Sequence, residues 1–218
     1  MAYSGEVTVG GAPDVHELSD LVITKVAVGP MNNNAYLLRC RETDEQLLID
    51  AANDAEALVE LVGADGLASV VTTHRHGDHW QALRAVVDAT GARTYAGRED
   101  AEGIPVATDV LLDDGDTVSV GRVTLTARHL VGHTPGSVAL VYDDPHGHPH
   151  VFTGDCLFPG GVGNTFDDPA AFTSLLGDVT TKLFDALPDE TWVYPGHGHD
   201  TSLGAERPHL KEWRERGW

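Results

Sequence analysis

The chain is 218 residues long and carries 34 acidic against 14 basic side chains, a formal net charge of −20. Hydrophobic residues make up 41% and charged residues 22%, the balance of a soluble chain with a core and not of a disordered one. Such acidity disfavours nucleic acid and anionic membranes as partners, and no apolar run approaches the roughly 18–20 residues that span a bilayer.

The first twenty residues hold four acidic groups and no Lys or Arg, so they lack a secretory leader's basic and apolar regions. Cys40 and Cys156 stand far apart in the sequence, and cysteine this sparse fits a reducing, cytoplasmic setting. Residues 21–28, 35–40 and 46–50 read as strands, with the turn-rich run Gly29-Pro30-Met31-Asn32-Asn33-Asn34 after the first. Asn53 and Asp54 are capping residues for a helix that Gly63 stops after Val62. Residues 69–73 form a short buried strand, and residues 80–90 carry helical spacing up to Gly91. Strands follow at 110–112, 117–120, 122–129, 137–143 and 150–153. Asp168-Pro169 opens a helix to about Leu187, with proline in a favoured first-turn position. Residues 191–194 are another strand and 206–216 a terminal helix. With no Pro/Ser linker, the expectation is one domain over residues 1–218, built from two packed sheets with helices outside.

The strongest chemical signal follows the strand at 69–73. In Thr73-His74-Arg75-His76-Gly77-Asp78-His79, four potential metal ligands fall within six residues, and Gly77 offers the backbone freedom for a tight turn. Imidazole with carboxylate suits Zn(II), Fe(II) or Mn(II), and the lack of ligand-spaced thiolates disfavours a structural zinc site. Three further runs occupy matching places after apolar strands or turns: Gly132-His133-Thr134-Pro135-Gly136, Thr153-Gly154-Asp155-Cys156 and Tyr194-Pro195-Gly196-His197-Gly198. Together they bring the set to seven ligands, enough for two metals sharing one carboxylate.

This set, His74-x-His76-x-Asp78-His79 with His133, Asp155 and His197 in order, resembles the metallo-β-lactamase superfamily. The resemblance implies an α/β fold, an αββα sandwich of two packed mixed β-sheets flanked by helices, with a binuclear site where the sheets meet. By position, His74, His76 and His133 would hold the first divalent ion. Asp78, His79 and His197 would hold the second, and Asp155 would bridge. Asp50 matches an early acidic position of the family that orients the metal loop. Zn2+ is the expected metal, with Fe or Mn as alternatives. A hydroxide bridging the ions would attack a carbonyl, with Asp78 as the catalytic residue that aims it.

Within the superfamily, Gly132-His133-Thr134-Pro135-Gly136-Ser137, Gly154-Asp155-x-Leu157-Phe158 and Pro195-Gly196-His197-Gly198 are similar to short bacterial glyoxalase II, the hydroxyacylglutathione hydrolases. The implied substrate is a small-molecule hydroxyacyl thioester. The alternatives are a mononuclear iron persulfide dioxygenase, or a lactonase or other ester hydrolase. Lactonases commonly carry a tyrosine where this chain has Phe158, and persulfide dioxygenases usually lack the Pro195–His197 segment. Two features depart from glyoxalase II: only 21 residues follow His197, and Asn164 stands where many relatives have a Lys or Arg for a glutathione carboxylate.

Asn164, Phe166 and His199 are the expected substrate-binding residues. His199 and Asp200, just beyond His197, are placed to line the mouth or to orient a ligand, and Asn32, Asn33 and Tyr36 to border the pocket. Cys156 points into the core by strand alternation. His129 is a strand-end residue, and His146-Gly147-His148-Pro149-His150 an exposed hairpin tip. Oligomeric state is left open, with Trp213 and Trp218 near the terminus available to pack on the domain or on a second chain.

Overall fold

A computed structural model describes residues 3–217. The first sheet runs in chain order through β1 (Asp14–Glu17), β2 (Leu21–Val28), β3 (Asn33–Cys40), β4 (Gln46–Ile49), β5 (Ser69–Thr72), β6 (Arg93–Gly97) and β7 (Val110–Leu112). Its pairings are antiparallel as far as β4 and parallel from there on. The second sheet is built from β8 (Thr117–Val120), β9 (Val123–His129), β10 (Val138–Tyr142), β11 (His150–Gly154), β14 (Trp192–Pro195) and β15 (Thr201–Ser202). A small hairpin, β12 (Leu157–Phe158) with β13 (Gly161–Val162), follows β11.

The parallel strands explain the helices, because a parallel step needs a crossover. Helix α1 (Ala55–Val62) carries the chain from β4 to β5, and α2 (Leu83–Thr90) from β5 to β6. Both faces of β4 are therefore covered. Leu47 and Ile49 enter the core between the sheets with Leu38, Leu125, Leu140 and Phe152, while Leu48 packs outward with Leu58 and Leu83. The outer face of the second sheet buries Val141, Val151 and Val193 against α3 (Pro169–Val179), the turn that follows it, and Trp213. The layers are thus helix, sheet, sheet, helix.

Several local expectations are corrected. Gly63 ends α1 at a positive φ of 67°, and Asp54 stands at the N-cap with its carbonyl accepting from Leu58 N, but its carboxylate caps no helix amide and instead accepts from Gly29 N at 2.8 Å. Helix α2 starts at Leu83, not Trp80, because the Gln81 and Ala82 amides donate to Ala52 O and Ala51 O. The helix after Asp168 is α-helical only to Val179 and then forms a π-turn, Thr180–Phe184. There the Thr180 and Thr181 hydroxyls donate to Leu176 O and Gly177 O and compete with the regular ladder. The terminal helix is split into α4 (Leu203–Glu206), a 3-10 turn and α5 (Leu210–Arg216), since Pro208 brings no N–H. In the histidine tract the tip holds for His146, but His150 is buried in β11. Trp213 is 1% exposed and packs against Phe184; Trp218 lies outside the described residues.

Candidate metal centre

The ligand-bearing segments leave the ends of strands from both sheets. The 74–79 turn follows β5, His133 follows β9, Asp155 follows β11 and His197 follows β14. Asp50, immediately after β4, adopts a left-handed φ of 58°, a conformation that Asp tolerates better than most residues. Its carboxylate accepts from Thr73 N at 2.7 Å, Thr73 Oγ1 at 2.8 Å and His79 Nδ1 at 2.8 Å. Gly77, read as giving the backbone freedom for a tight turn, is not at positive φ. The bent backbone position is Asp50, where the local hydrogen bonds hold it.

Three ring nitrogens converge at one point. His74 Nε2 and His76 Nδ1 are 3.1 Å apart, His76 Nδ1 and His133 Nε2 are 2.9 Å apart, and His133 Nε2 and His74 Nε2 are 3.3 Å apart. An in-plane N–H points at one acceptor only, so three nitrogens facing a shared centre cannot all be hydrogen-bonded to one another. Lone pairs aimed at one cation fit the triangle: tetrahedral ligands about 2.0–2.1 Å from zinc stand about 3.3 Å apart.

A second set adjoins it. Asp78 Oδ2 lies 3.4 Å from His79 Nε2 and 3.3 Å from His197 Nε2. Asp155 stands between the sets, with Oδ1 3.4 Å from His79 Nε2, and Oδ2 3.5 Å from His197 Nε2 and 3.7 Å from His133 Nε2. His79 Nε2 and Asp155 Oδ1 are buried without any hydrogen-bond partner, a costly state for two polar atoms unless a cation joins them. Gly196 leaves room for this carboxylate: a Cβ there would stand 2.2 Å from Asp155 Oδ1. The residues present therefore fit two divalent ions.

The far nitrogen of most of the imidazoles is engaged, which sets the tautomer. His74 Nδ1 faces Thr73 Oγ1 at 3.1 Å, His133 Nδ1 faces Asn164 O at 2.7 Å, and His197 Nδ1 faces Met31 O at 3.1 Å. Burial would raise the Asp155 carboxyl, but the His197 and His79 imidazoles outweigh it and hold the group ionised, below the usual carboxylate range. Burial would lower His79, yet Asp50 and Asp155 outweigh it and push its pKa up to about 10. His74 is driven the other way by burial and by the neighbouring His79, so its lone pair is free. The carboxylates thus demand positive charge at the centre.

Other expected residues are distributed as follows. Asn33 is at the border as read, its amide donating to Asp78 Oδ2 at 2.9 Å. Tyr36 is buried and holds the His197 loop, donating to Pro195 O at 2.6 Å. Phe166, 63% exposed, lies with its ring 5.7 Å from His76 and 6.0 Å from His133. Asn164 meets the site through its backbone, while its side chain accepts from Phe166 N. His199 is exposed. Of the two placements for Asp200, lining the mouth fails, since its carboxylate is buried against Lys25 at 2.6 Å. Cys156 is in the core as expected. His129 Nε2 contacts Pro135 O.

Sequence reasoning missed Asp100. Fully buried, it accepts from Arg75 N at 3.0 Å, Thr134 Oγ1 at 2.5 Å and Gly136 N at 2.9 Å, tying the 74–79 turn to the His133 loop. Nothing in Arg98-Glu99-Asp100 distinguishes that carboxylate from a solvated one. In the sequence Asn34 is only the last residue of a turn-rich run. Its amide donates to Pro195 O and Gly198 O, on either side of His197.

Comparison with known proteins agrees with this geometry. The profile described as metallo-beta-lactamase superfamily matches residues 28–199. The chain belongs to that superfamily. It is 34% identical over 171 residues to the hydroxyacylglutathione hydrolase of Fuscovulum blasticum, covering 77% of this chain and 63% of that protein. It is also 34% identical over 172 residues to the human mitochondrial persulfide dioxygenase ETHE1, covering 75% of this chain and 63% of that one. The chain therefore spans somewhat under two thirds of these two relatives' length. Among solved structures, the BLEG-1 B3 metallo-beta-lactamase superposes with a TM-score of 0.76 at 29% identity, covering 88% of this chain and 99% of that one. The superfamily member described here thus has similar relatives of three different activities.

Proposed function

We propose that this chain is a binuclear metal-dependent hydrolase of small hydroxyacyl thioesters, similar to glyoxalase II. The observation that carries this reading is the pair of adjoining ligand sets joined by Asp155, each with its own imidazoles. The complete second set favours it over chemistry on a single iron. Similarity to a hydroxyacylglutathione hydrolase points to the thioester class. The core shared by both sheets supports treating residues 1–218 as one domain. Two free buried cysteines accord with a cytoplasmic, reducing setting, and among the described residues no helix is long and apolar enough to cross a membrane.

In this reading His74, His76 and His133 hold one ion, Asp78, His79 and His197 the other, and Asp155 both. Two divalent ions, Zn2+ first and Fe or Mn next, would supply a Lewis acid for the carbonyl and a water acidic enough to attack at neutral pH. Burial raises the Asp78 carboxyl, but the Asn33 amide and His79 outweigh it, so the group is ionised and can accept the hydrogen bond of the attacking water. Asn33 holds one oxygen of Asp78, which orients the carboxylate toward the attacking water. The water oxygen bonds to the acyl carbon and the carbon–sulfur bond breaks. The proton that the water gives up passes to the departing thiolate, and the products are a hydroxyacid and a free thiol. Phe166, Asn164 and His199 are assigned to the substrate wall, with the exposed Phe166 ring as its apolar part.

A panel of hydroxyacyl thioesters on glutathione, mycothiol, bacillithiol and coenzyme A tests this, with a lactone, a β-lactam and a thiol persulfide as controls. The expected result is close to two metal ions per chain and fastest turnover on a thioester. One iron per chain with oxygen uptake on the persulfide would overturn it, as would preference for the β-lactam or the lactone.

A further inference from the structure

Beside the ligand cluster lies a second buried polar cluster that the proposed hydrolysis does not use. Lys25, on β2, is fully buried, and its ammonium donates to Gly5 O at 2.7 Å, Gly198 O at 2.8 Å and Asp200 Oδ1 at 2.6 Å. Three N–H groups meet three acceptors, so the cation is satisfied. The other Asp200 oxygen accepts from the Tyr3 hydroxyl at 2.6 Å and the Trp192 indole N–H at 3.0 Å. Gly5 closes over this carboxylate at a φ of 74°, where a Cβ would stand 2.6 Å from Asp200 Oδ2.

A buried ion pair is costly to desolvate and a weak source of stability, so its presence calls for another account. The acceptor Gly198 O provides one, because Gly198 is the neighbour of His197. Around that imidazole, Pro195 O is held by Asn34 and Tyr36, Gly196 O by Asn34 N, and Gly198 O by Asn34 and Lys25. All of these donors belong to the first sheet, whereas His197 follows a strand of the second. Asp78 and His79, which face His197, follow a strand of the first. The separation of these three ligands is therefore the separation of two sheets, and Lys25 bridges them with a charge.

We propose that Lys25 and Asp200 are positioning residues for His197, an ion pair sealed by Tyr3 and Gly5 that sets the geometry of the Asp78–His79–His197 pocket. This rests on the two-metal reading above. The first pocket, His74 with His76 and His133, has no contact with the pair and does not depend on it.

The test strips the full chain of metal and titrates it with Co2+ against a chromophoric chelator, recording visible absorption and, separately, thermal unfolding. The unaltered protein is expected to take up two ions in two steps. Lys25→Met keeps the length of the side chain and loses every donor. It should leave one step unchanged and weaken the other by at least about tenfold, with a changed absorption band for that ion. Tyr3→Phe removes a single hydrogen bond and should move the same step by a smaller factor; it carries the test if Lys25→Met does not fold. Two unchanged steps, or two steps weakened alike, would overturn the proposal, since a merely structural pair has no reason to select one pocket. An unaltered protein that takes up one ion overturns the two-metal reading itself, a result distinct from variants that match a two-ion parent.

Discussion

Asp50 accepts from Thr73 and from His79 at once, while His74 reaches the same carboxylate through the Thr73 hydroxyl. One acidic side chain thereby holds the tautomer of an imidazole in each ligand set. Asp50→Asn keeps the shape but offers an N–H where two acceptor oxygens are needed. It is expected to lower metal affinity about 10–100-fold, as read by chelator competition, with the folded secondary structure retained. His76 differs from its neighbours in turning Nδ1 to the centre and in having lower burial. His76→Ala removes one corner of the first triangle and should abolish one equivalent of bound metal along with thioester turnover. Full hydrolysis by that variant would refute the assigned site.

At the scale of elements, the centre depends on loops that are tied to one another more than on any single strand. Asp100 sits beyond β6, yet its three accepted hydrogen bonds join the turn after β5 to the loop after β9. Asp100→Ala leaves buried N–H donors without acceptors, and is expected to cost about 2–3 kcal/mol in urea unfolding and to reduce metal stoichiometry. Gly196 offers a sharper steric test, because its φ is not positive and alanine brings no backbone strain of that kind. In Gly196→Ala the added methyl would meet Asp155 Oδ1 at 2.2 Å and His79 Cε1 at 2.8 Å. Both metal steps should weaken together, unlike the selective loss expected of Lys25→Met.

At the scale of the whole molecule, candidate ligands from both sheets would make a bound metal a cross-link of the sandwich. With free metal at about 100 times its dissociation constant, one bound ion adds about 2.7 kcal/mol of stability. Chelator treatment, which strips both ions, should therefore lower Tm by about 10–20 °C, measured by calorimetry with and without metal. Acid should act at a separate place. His150 is 1% exposed beside the Tyr194 hydroxyl, and burial, then the nearby His148 and His16, lower its pKa from 6.5 to about 3. Between those values the unfolded chain binds a proton that the folded one refuses. The stability from neutral His150 is complete above pH 6.5 and falls as pH drops toward 3, by up to about 1.4 kcal/mol per pH unit. His150→Asn should flatten that acid limb in pH-dependent unfolding; an unchanged limb would count against the assignment. The net charge of −20 is compatible with an anionic substrate, because two divalent ions would restore about four positive charges locally.

The strands at 21–28, 117–120 and 110–112 were legible because alternation and apolar runs are properties of neighbours in the chain, and a sheet responds to them locally. The candidate ligands were legible for the same reason: His74, His76, Asp78 and His79 stand together within one turn. Polar β1 escaped notice because Asp14-Val15-His16-Glu17 has almost no apolar face, and its strand exists only through pairing with β2. For Asp200 the choice between lining the mouth and orienting a ligand stayed open, because adjacency to His197 in sequence says nothing about which way its carboxylate turns. Lys25 claims it across 175 positions. Residue chemistry and element order are thus written in local pattern, whereas the shared carboxylate of Asp155, the knot at Asp100 and the bridge at Lys25 arise only when two sheets close face to face. Closure brings charges from distant segments into a space without water, where each must find the one partner within reach.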